Sequence, residues 1–487
     1  MRLLFYHERV TEAERYDVIV LGCGPAGERA AIQAARAGRR VVVVERAHVV
    51  GGTGVNWGTI PSKTLRESAL FVHALTRARL HGIRYELAPE ITVADFTYRQ
   101  RLVVQREIAL INEALAKAQI EVRRGHGRFV DPHTVALVDE QGRRSGRLEG
   151  EVIVIATGSR PNRPADVPFD DETVFDSATI LSLPRMPRSM VVLGAGVIGI
   201  EYASIFAALG LSVTLVDTRD RLLPFLDREI VGILERALTR LGIVIIHDDR
   251  YETIHTLPGQ PPQVMCRTSK GVNLVADVLL YCVGRDGNSN DIGLETIGLE
   301  PNRYGLLVVN ERFQTAHPHI YAVGDVIGYP ALASTSMEQG RQAMRRAFDI
   351  PSVLADTEAL PFAIYSIPEV SYVGETEEKL RERRLPFVVG RGRYEESPRG
   401  QIVGDTEGLL KLLCDSDSGR LLGVHVVGTG AAELVHIGQA YLRAAATAAQ
   451  VAESLFNYPT LADLYRHAAL RVLAELRRHQ VEPASEP

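Results

Sequence analysis

The sequence has few of the features that mark several protein classes. Its 487 residues include four cysteines and one tryptophan, and no cysteine forms a CxxC pair or stands at zinc-finger spacing from a histidine. The small number and the spacing of the cysteines exclude a disulfide scaffold and predict no metal site. They also predict reduced, mostly buried thiols in a cytoplasmic protein. The formal net charge is −5 and the pI is about 6.3. Composition therefore predicts neither nucleic acid nor a membrane as a partner.

Long apolar runs are also scarce. The longest covers residues 190–216, and it is interrupted by several glycines and by Glu201. That pattern favours a strand, turn, helix and second strand over a membrane span. Lysine is rare among the 55 cationic side chains, so each of its positions is worth inspecting. The lysines are Lys63, Lys117, Lys270, Lys379 and Lys411.

Two segments share a glycine-rich GxGxxG pattern that follows an apolar strand and opens a helix. The glycines are Gly22, Gly24 and Gly27 in the first segment, and Gly194, Gly196 and Gly199 in the second. The first glycine of each set permits a tight turn, the second lets backbone N–H groups reach a pyrophosphate, and the third lets the helix pack closely on the strand. The helix N-terminus then favours a bound phosphate.

An acidic residue ends the next strand of each segment. Glu45 follows Gly22 by 23 residues, and Asp217 follows Gly194 by 23 residues. A carboxylate at this position accepts hydrogen bonds from ribose hydroxyls. The repeat therefore predicts two dinucleotide sites, so that one dinucleotide can stay bound while another visits and leaves.

Each unit has a later strand, and a different module follows the second unit. Residues 152–156 run into Thr157-Gly158, and residues 278–282 run into Gly284. These strands predict two doubly wound α/β units, the second placed after the first. From about residue 361, alternating apolar strands and then helical stretches predict an α+β module.

The segment 315–325 ends in Gly324-Asp325, where Asp325 can face a ribityl chain. With this segment, residues 16–477 resemble the flavoprotein disulfide reductase superfamily. The first glycine set, Thr157-Gly158 and Gly324-Asp325 correspond to its FAD motifs, and the second glycine set to its nicotinamide-nucleotide motif. The resemblance implies two Rossmann-like dinucleotide-binding domains, glutathione-reductase-like, plus a C-terminal α+β dimerisation domain.

The resemblance also implies a division of the chain and a homodimer, with a higher oligomer as the alternative. The expected segments are an N-terminal extension (1–15), an FAD-binding domain (16–165), an NAD(P)-binding domain (166–287), a central domain completing the FAD site (288–355), a dimerisation domain (356–477) and a tail (478–487). The expected cofactor-binding residues are Gly22, Gly24, Gly27, Glu45, Gly52, Thr59, Lys63, Ala156, Thr157, Gly158, Gly194, Gly196, Gly199, Asp217, Arg219, Gly284, Gly324, Asp325 and Ala333.

Two departures from the superfamily bear on the chemistry. Gly54 and Thr59 stand where most members carry the redox-active cysteine pair, and neither side chain can relay electrons. Tyr458 stands in place of the His of a C-terminal His-Pro motif, and Asp463 in place of its supporting Glu. The favoured interpretation of Tyr458 is a packed interface aromatic; a catalytic role is the alternative.

Four further runs resemble the soluble, Si-specific pyridine nucleotide transhydrogenases: residues 57–63, 218–227, 321–330 and 456–460. The resemblance implies FAD-dependent, reversible hydride transfer between NADP(H) and NAD(H), as a ping-pong relay through flavin N5. One alternative is an NAD(P)H dehydrogenase or oxidase that reduces quinone or oxygen. Another is a flavin-containing binding or sensing protein with little turnover.

Lys63 and Glu201 are the expected catalytic residues. A cation near flavin N5 favours the reduced flavin, and an ion pair with Glu201 would position Lys63. The alternative is a surface pair between Lys63 and Glu67. A helix beginning near Ala333 is expected to direct its N-terminus at flavin N1/O2.

The preference between nucleotides depends on a short turn. Asp217 favours a free ribose 2′-hydroxyl, whereas Arg219 and Arg221 can hold a 2′-phosphate. A mixed acid and arginine site suits an enzyme that accepts both nucleotides. The alternative is that both arginines are solvated turn residues.

Overall fold

The computed structural model describes residues 13–76, 92–139, 141–351 and 360–481. The predicted N-terminal extension lies outside these ranges except for residues 13–15, as does the tail from residue 482. Among the described residues, no helix combines the length and hydropathy that crossing a bilayer requires.

The strands are β1 Glu14–Leu21, β2 Val41–Glu45, β3 Glu121–Arg124, β4 His126–Asp131, β5 Thr134–Val138, β6 Arg144–Ile155, β7 Ser159–Pro161, β8 Val174–Asp176, β9 Ser189–Leu193, β10 Ser212–Val216, β11 Val244–Ile246, β12 Tyr251–Leu257, β13 Gln263–Thr268, β14 Asn273–Ala276, β15 Val278–Tyr281, β16 Arg285–Gly287, β17 Ile320–Ala322, β18 Phe362–Ile364, β19 Val370–Gly374, β20 Phe387–Arg393, β21 Leu409–Asp415 and β22 Leu421–Val427.

The α-helices are α1 Pro25–Arg36, α2 Gly52–Asn56, α3 Thr59–Thr76, α4 Val93–Lys117, α5 Val197–Ala208, α6 Arg228–Arg240, α7 Ala333–Ala347, α8 Glu377–Glu382, α9 Pro398–Val403, α10 Ala431–Arg443, α11 Ala448–Glu453 and α12 Leu464–Val481. The chain forms two compact units. The first contains residues 1–64, 97–162 and 284–355, and the second contains residues 65–96, 163–283 and 356–487. The predicted domain boundaries stay predictions.

The first unit is built on a mixed sheet in the order β3-β2-β1-β6-β5-β4, with β17 also paired to β6. Its centre is parallel, with Val18 opposite both Val41 and Val152. Strand β2 reads VVVVE and is buried along its whole length, as expected for a parallel strand covered on both faces. Helix α1 packs on this sheet and α7 packs against α1, and the strand ends carry the predicted motifs.

The second unit contains a five-stranded parallel sheet in the order β11-β10-β9-β15-β8. The apolar run 190–216 forms β9, α5 and β10, which confirms the prediction of strand, turn, helix and strand. Helix α5 is buried on almost every side, so its continuous apolarity reflects packing inside the protein. The helix begins at Val197, directly after its N-cap Gly196.

Two antiparallel sheets complete the second unit. Strands β12, β13 and β14 form a three-stranded sheet within residues 251–276, which the sequence analysis did not predict. The C-terminal module has the order β18-β19-β22-β21-β20, with α10 and α12 packed on it. The predicted α+β character of this module is confirmed.

Candidate functional site

The first glycine motif lies between β1 and α1. Gly22 has a φ of +100°, and a Cβ there would stand 2.5 Å from the carbonyl oxygen of Ala156. A Cβ on Gly27 would stand 1.9 Å from the carbonyl oxygen of Gly22. Only glycine permits this close approach of helix to strand. Gly52, with a φ of +54°, lies against Gly24, since its Cβ would be 2.7 Å from the Gly24 Cα.

Helix α1 presents its first turn without a protein cap. Its N-cap is Gly24, and no side chain accepts a hydrogen bond from the first-turn N–H groups. By contrast, α6 is capped by Asp227, whose side chain accepts from the backbone of Glu229 and Ile230. Free N–H groups and the positive end of the helix dipole form an anion site, so α1 fits the pyrophosphate of a dinucleotide.

The Ala156-Thr157-Gly158 segment follows β6 in the same unit. The backbone N–H of Ala156 donates to the Leu21 carbonyl at 2.8 Å, which ties the segment to β1. Among the described residues, the hydroxyl oxygen of Thr157 is buried without a hydrogen-bond partner. Gly158 has a φ of +71°, and a Cβ there would meet no atom within 4 Å. A buried hydroxyl without a partner, next to open space, fits a site that holds a polar ligand.

Asp325 belongs to a hydrogen-bond chain that the sequence analysis missed. Ser159 Oγ donates to Asp325 Oδ2 at 2.7 Å, and Arg285 Nε donates to Ser159 Oγ at 2.9 Å. Gln339 Oε1 accepts from the backbone N–H of Gly324 at 2.8 Å. These bonds fix the Gly-Asp segment; the position of Ser159 directly after Thr157-Gly158 was the signal available in the sequence.

Helix α7 begins at Ala333, where the sequence analysis expected a helix start. Its N-cap is Leu332, and no side chain caps it. Gly284, another predicted site residue, opens the third segment of the first unit with a φ of +85°. The carbonyl of Gly284 accepts from the N–H of Asn162.

The second glycine motif repeats the geometry of the first. Gly194 has a φ of +94°, and a Cβ on Gly199 would stand 1.9 Å from the Gly194 carbonyl oxygen. A Cβ on Gly196 would meet nothing within 4 Å, so this residue faces open space. Helix α5 also starts without a side-chain cap. The second unit therefore offers its own anion site.

The acids at the ends of β2 and β10 are oriented by backbone donors. Glu45 accepts from the N–H groups of Cys23 at 2.7 Å and Ala47 at 2.8 Å. Asp217 accepts from the N–H groups of Ala195 at 2.5 Å and Arg219 at 2.9 Å. The two predicted ribose-binding carboxylates thus occupy equivalent places in the two units.

Arg219 adds a side-chain ion pair to Asp217. Its Nε and Nη2 each lie 2.7 Å from a carboxylate oxygen. Burial opposes ionisation of Asp217, but the hydrogen bonds of Arg219 hold its pKa below the ordinary value of 3.8. Arg219 is therefore partly exposed but paired with Asp217, and its role toward a nucleotide stays a prediction. Arg221 does not contact Asp217 and instead donates to the carbonyl of Pro224 at 2.7 Å.

The loop that carries cysteines in most superfamily members forms α2 and the start of α3 here. Gly54 lies in α2, where its Cβ position is already 3.0 Å from Cγ of Pro25, and Thr59 is the first residue of α3. Lys63 Nζ donates to Ser62 Oγ at 3.4 Å within the first unit.

Glu201 lies in the second unit, is 4% exposed, and accepts from the N–H of Tyr365 at 2.9 Å. Its predicted ion pair with Lys63, and the alternative pair of Lys63 with Glu67, stay predictions.

None of the four cysteines forms a disulfide, and three of them are fully buried, as predicted. Burial is the main cause that raises the pKa of Cys23 to about 12, of Cys266 to about 11 and of Cys414 to about 12. A thiol with such a pKa is almost wholly protonated at neutral pH and is a poor nucleophile. These thiols cannot replace the missing redox pair.

The two C-terminal positions of interest differ in exposure: Tyr458 is exposed in the single chain, whereas Asp463 is half-buried. Tyr458 is 75% exposed, and its predicted place in an interface stays a prediction. Asp463 lies 3.4 Å from Nε2 of His467.

Three acidic side chains have the spacing of metal ligands, but they surround the ammonium of Lys411, which supplies the positive charge there. They are Asp227, Glu229 and Glu377.

Comparison with known proteins places this geometry in a family. Residues 16–340 match the family described as pyridine nucleotide-disulphide oxidoreductase, and residues 360–469 match its dimerisation domain. A Mycobacterium bovis protein named soluble pyridine nucleotide transhydrogenase is 46% identical over 95% of this chain and 98% of its own length. One of the same name from Chromohalobacter salexigens is 41% identical over 93% and 97%.

Solved structures agree in fold. LpdA from Mycobacterium tuberculosis has a TM-score of 0.86 at 25% identity, covering 94% of this chain and 99% of its own. The HOCl-induced flavoprotein disulfide reductase RclA from Escherichia coli has a TM-score of 0.82 at 27% identity, covering 94% and 100%. The predicted superfamily and glutathione-reductase-like fold are confirmed. The chain belongs to the pyridine nucleotide-disulphide oxidoreductase family, and it is similar over nearly its whole length to members named soluble pyridine nucleotide transhydrogenase.

Proposed function

We propose that this protein is an FAD-dependent transhydrogenase that moves hydride reversibly between NADP(H) and NAD(H) without a redox disulfide. One observation carries the proposal: two dinucleotide motifs of the same backbone geometry occur in a chain whose loop has Gly54 and Thr59 at the cysteine positions. The names of relatives at 41% and 46% identity support the same activity.

The first unit would hold FAD. The uncapped N-terminus of α1 and the glycines beside it would bind the pyrophosphate, and Glu45 would accept from the adenosine ribose. Thr157, with its unpartnered hydroxyl, and Asp325 would complete the site. Gly52, Ala156, Gly158 and Gly324 would let the backbone approach the cofactor. The proposed FAD residues are Gly22, Gly24, Gly27, Glu45, Gly52, Thr59, Lys63, Ala156, Thr157, Gly158, Gly324, Asp325 and Ala333.

The second unit would bind the nicotinamide nucleotides in turn. Gly196 faces open space at the start of α5, which leaves room for a pyrophosphate against the helix N-terminus. Asp217 and Arg219 would contact the adenosine ribose. The proposed residues of this unit are Gly194, Gly196, Gly199, Asp217 and Arg219. Gly284, which belongs to the first unit, is proposed as a further cofactor-binding residue there.

When bound, FAD supplies a ring that accepts hydride from one nicotinamide and returns it to another. The residues of the chain would position the two dinucleotides and supply the electric field around the flavin. The N-terminus of α7 would place partial positive charge at flavin N1/O2, and Lys63 would place a full charge near N5. Arg285, through Ser159, would fix Asp325 against the ribityl chain.

The proposal includes a homodimer formed through residues 360–469, which match the dimerisation domain of the family, and a place in the cytoplasm. Buried reduced thiols agree with a reducing compartment.

The test supplies NADPH and a hydride-accepting NAD⁺ analogue without oxygen, and follows both nucleotides. Equal amounts of NADPH consumed and analogue reduced are expected. Flavin reduction without transfer to the analogue would indicate a dehydrogenase or oxidase instead. An absence of flavin reduction would indicate a binding or sensing protein.

A further inference from the structure

The two acids that end β2 and β10 have the same backbone donors but different side-chain neighbours. Each accepts from the N–H one residue after the first motif glycine, which is Cys23 or Ala195. Each also accepts from the N–H two residues beyond the acid itself, which is Ala47 or Arg219. An ionised carboxylate has about four lone-pair positions, so two remain at Glu45 among the described residues.

At Asp217 the remaining two positions are occupied. The side chain of Arg219 donates from Nε to Oδ1 and from Nη2 to Oδ2, both at 2.7 Å. The residue equivalent to Arg219 in the first unit is Ala47, which has no side-chain donor. This one difference between the repeats decides whether the acid can accept further hydrogen bonds. Glu45 still can, whereas all four lone-pair positions of Asp217 are occupied.

A ribose hydroxyl can bond to Asp217 only after a donor leaves. The two backbone N–H groups are fixed by the turn and the helix start, so the arginine side chain is the donor that can move. Its side chain is 39% exposed, whereas that of Asp217 is 4% exposed. A guanidinium fork matches a phosphate as well as it matches a carboxylate, so a 2′-phosphate offers Arg219 a second partner.

We propose that the Arg219–Asp217 ion pair is a latch that sets the balance of affinity between the two nicotinamide nucleotides; this rests on the proposed function. A nucleotide with a 2′-hydroxyl opens the latch by taking Asp217. A nucleotide with a 2′-phosphate opens it by taking Arg219. Since each nucleotide must break the same ion pair, each is bound less tightly than it would be by an unpaired Asp217 or an unpaired Arg219. Such weakening suits a site that must release one nucleotide before it accepts the other.

The test uses Arg219→Ala and two fragments without a nicotinamide, 5′-AMP and 2′,5′-ADP, with dissociation constants measured by calorimetry on the full-length protein. The loss of a bidentate phosphate contact should weaken 2′,5′-ADP by about tenfold or more. Release of Asp217 should tighten 5′-AMP by about three- to tenfold. Opposite changes support the latch. If 5′-AMP is unchanged or weaker, or if 2′,5′-ADP keeps its affinity, the latch is wrong.

Two further variants make the result specific. Arg228→Ala removes an arginine of the same region that is 76% exposed and lies 3.9 Å from Glu378, so it controls for lost charge and should change neither constant more than about twofold. Arg219→Lys keeps the charge without the fork, so it should recover part of the 2′,5′-ADP affinity. Fragment binding involves no hydride transfer. If wild-type protein fails to transfer hydride while these constants shift in opposite directions, the proposed function fails and the latch stands.

Discussion

Lys411 and Asp227 form a buried ion pair across 184 residues of sequence, with Nζ 2.8 Å from both carboxylate oxygens. Each side chain is 1% exposed. Oε2 of Glu229 lies 3.0 Å from the same ammonium, and Glu377 also contacts it. Asp227 caps α6 at the end of the turn that starts at Asp217. This ion pair therefore joins the C-terminal sheet to the segment that follows Asp217, the proposed ribose-binding acid.

Replacing Lys411 should strongly destabilise the protein. Lys411→Met leaves the buried Asp227 without its cation, whereas Glu377 keeps Arg381. Breaking a buried pair in this way costs about 3–5 kcal/mol. Urea denaturation should show this loss in the free energy of unfolding. The matched control is Lys270→Met, which removes an exposed lysine whose Nζ donates to the carbonyl of His247 at 3.3 Å. A loss no larger than that of the control would contradict the account.

The same ion pair predicts how stability depends on pH. Burial opposes ionisation of Asp227, but His425 and Lys411 hold its pKa below the ordinary value of 3.8. A depressed folded pKa gives stability that is present above the unfolded pKa and is lost as the pH falls through the folded one. From about pH 5 downward, the free energy of unfolding should fall more steeply in the wild type than in Asp227→Asn. Asparagine keeps the helix cap, so equal slopes would show that the charge contributes nothing.

Substitutions at two glycines of the second motif should have different effects, one on nucleotide binding and the other on stability. Gly196→Ala adds a methyl group in open space, so the unfolding midpoint should stay unchanged. Binding of 2′,5′-ADP should fall at least about tenfold, since the methyl would occupy the proposed place of its 5′-phosphate, which in a dinucleotide is part of the pyrophosphate. Gly199→Ala places a Cβ against the Gly194 carbonyl and should lower the unfolding midpoint. The helical control, Gly232→Ala, should affect neither binding nor folding adversely. Normal nucleotide affinity in Gly196→Ala would remove this residue from the proposed site.

The thiols should be inert in the folded protein. Burial raises the pKa of Cys23, Cys266 and Cys414, so a thiol reagent at pH 8 should modify at most one cysteine per chain, the half-buried Cys282. All four should react in guanidinium chloride. Transfer of hydride should be unaffected by the modification; its loss would implicate a thiol in turnover.

The local part of the structure could be predicted because it depends on residues that lie close together in the sequence. A glycine motif, its helix and the acid 23 residues later all lie within one strand–helix–strand unit, and the structure has Glu45 and Asp217 in equivalent places. Helix α7 also begins at Ala333, where a helix start was expected.

Long-range contacts could not be read in this way. Lys411 was conspicuous because lysine is rare, but nothing near it in the sequence identifies Asp227 as its partner. The bond of Ser159 to Asp325 also spans 166 residues. The Arg219–Asp217 pair is only two residues apart, yet it depends on a rotamer of the arginine, which sequence pattern does not specify.

The central claim is that electrons enter and leave through the flavin alone. An anaerobic titration with NADPH tests it most directly, because a flavin takes up two electrons and a flavin with a redox disulfide takes up four. One NADPH per FAD should bleach the flavin absorbance completely, and one equivalent of the NAD⁺ analogue should restore it. Uptake of a second equivalent, with new free thiols appearing, would contradict the account.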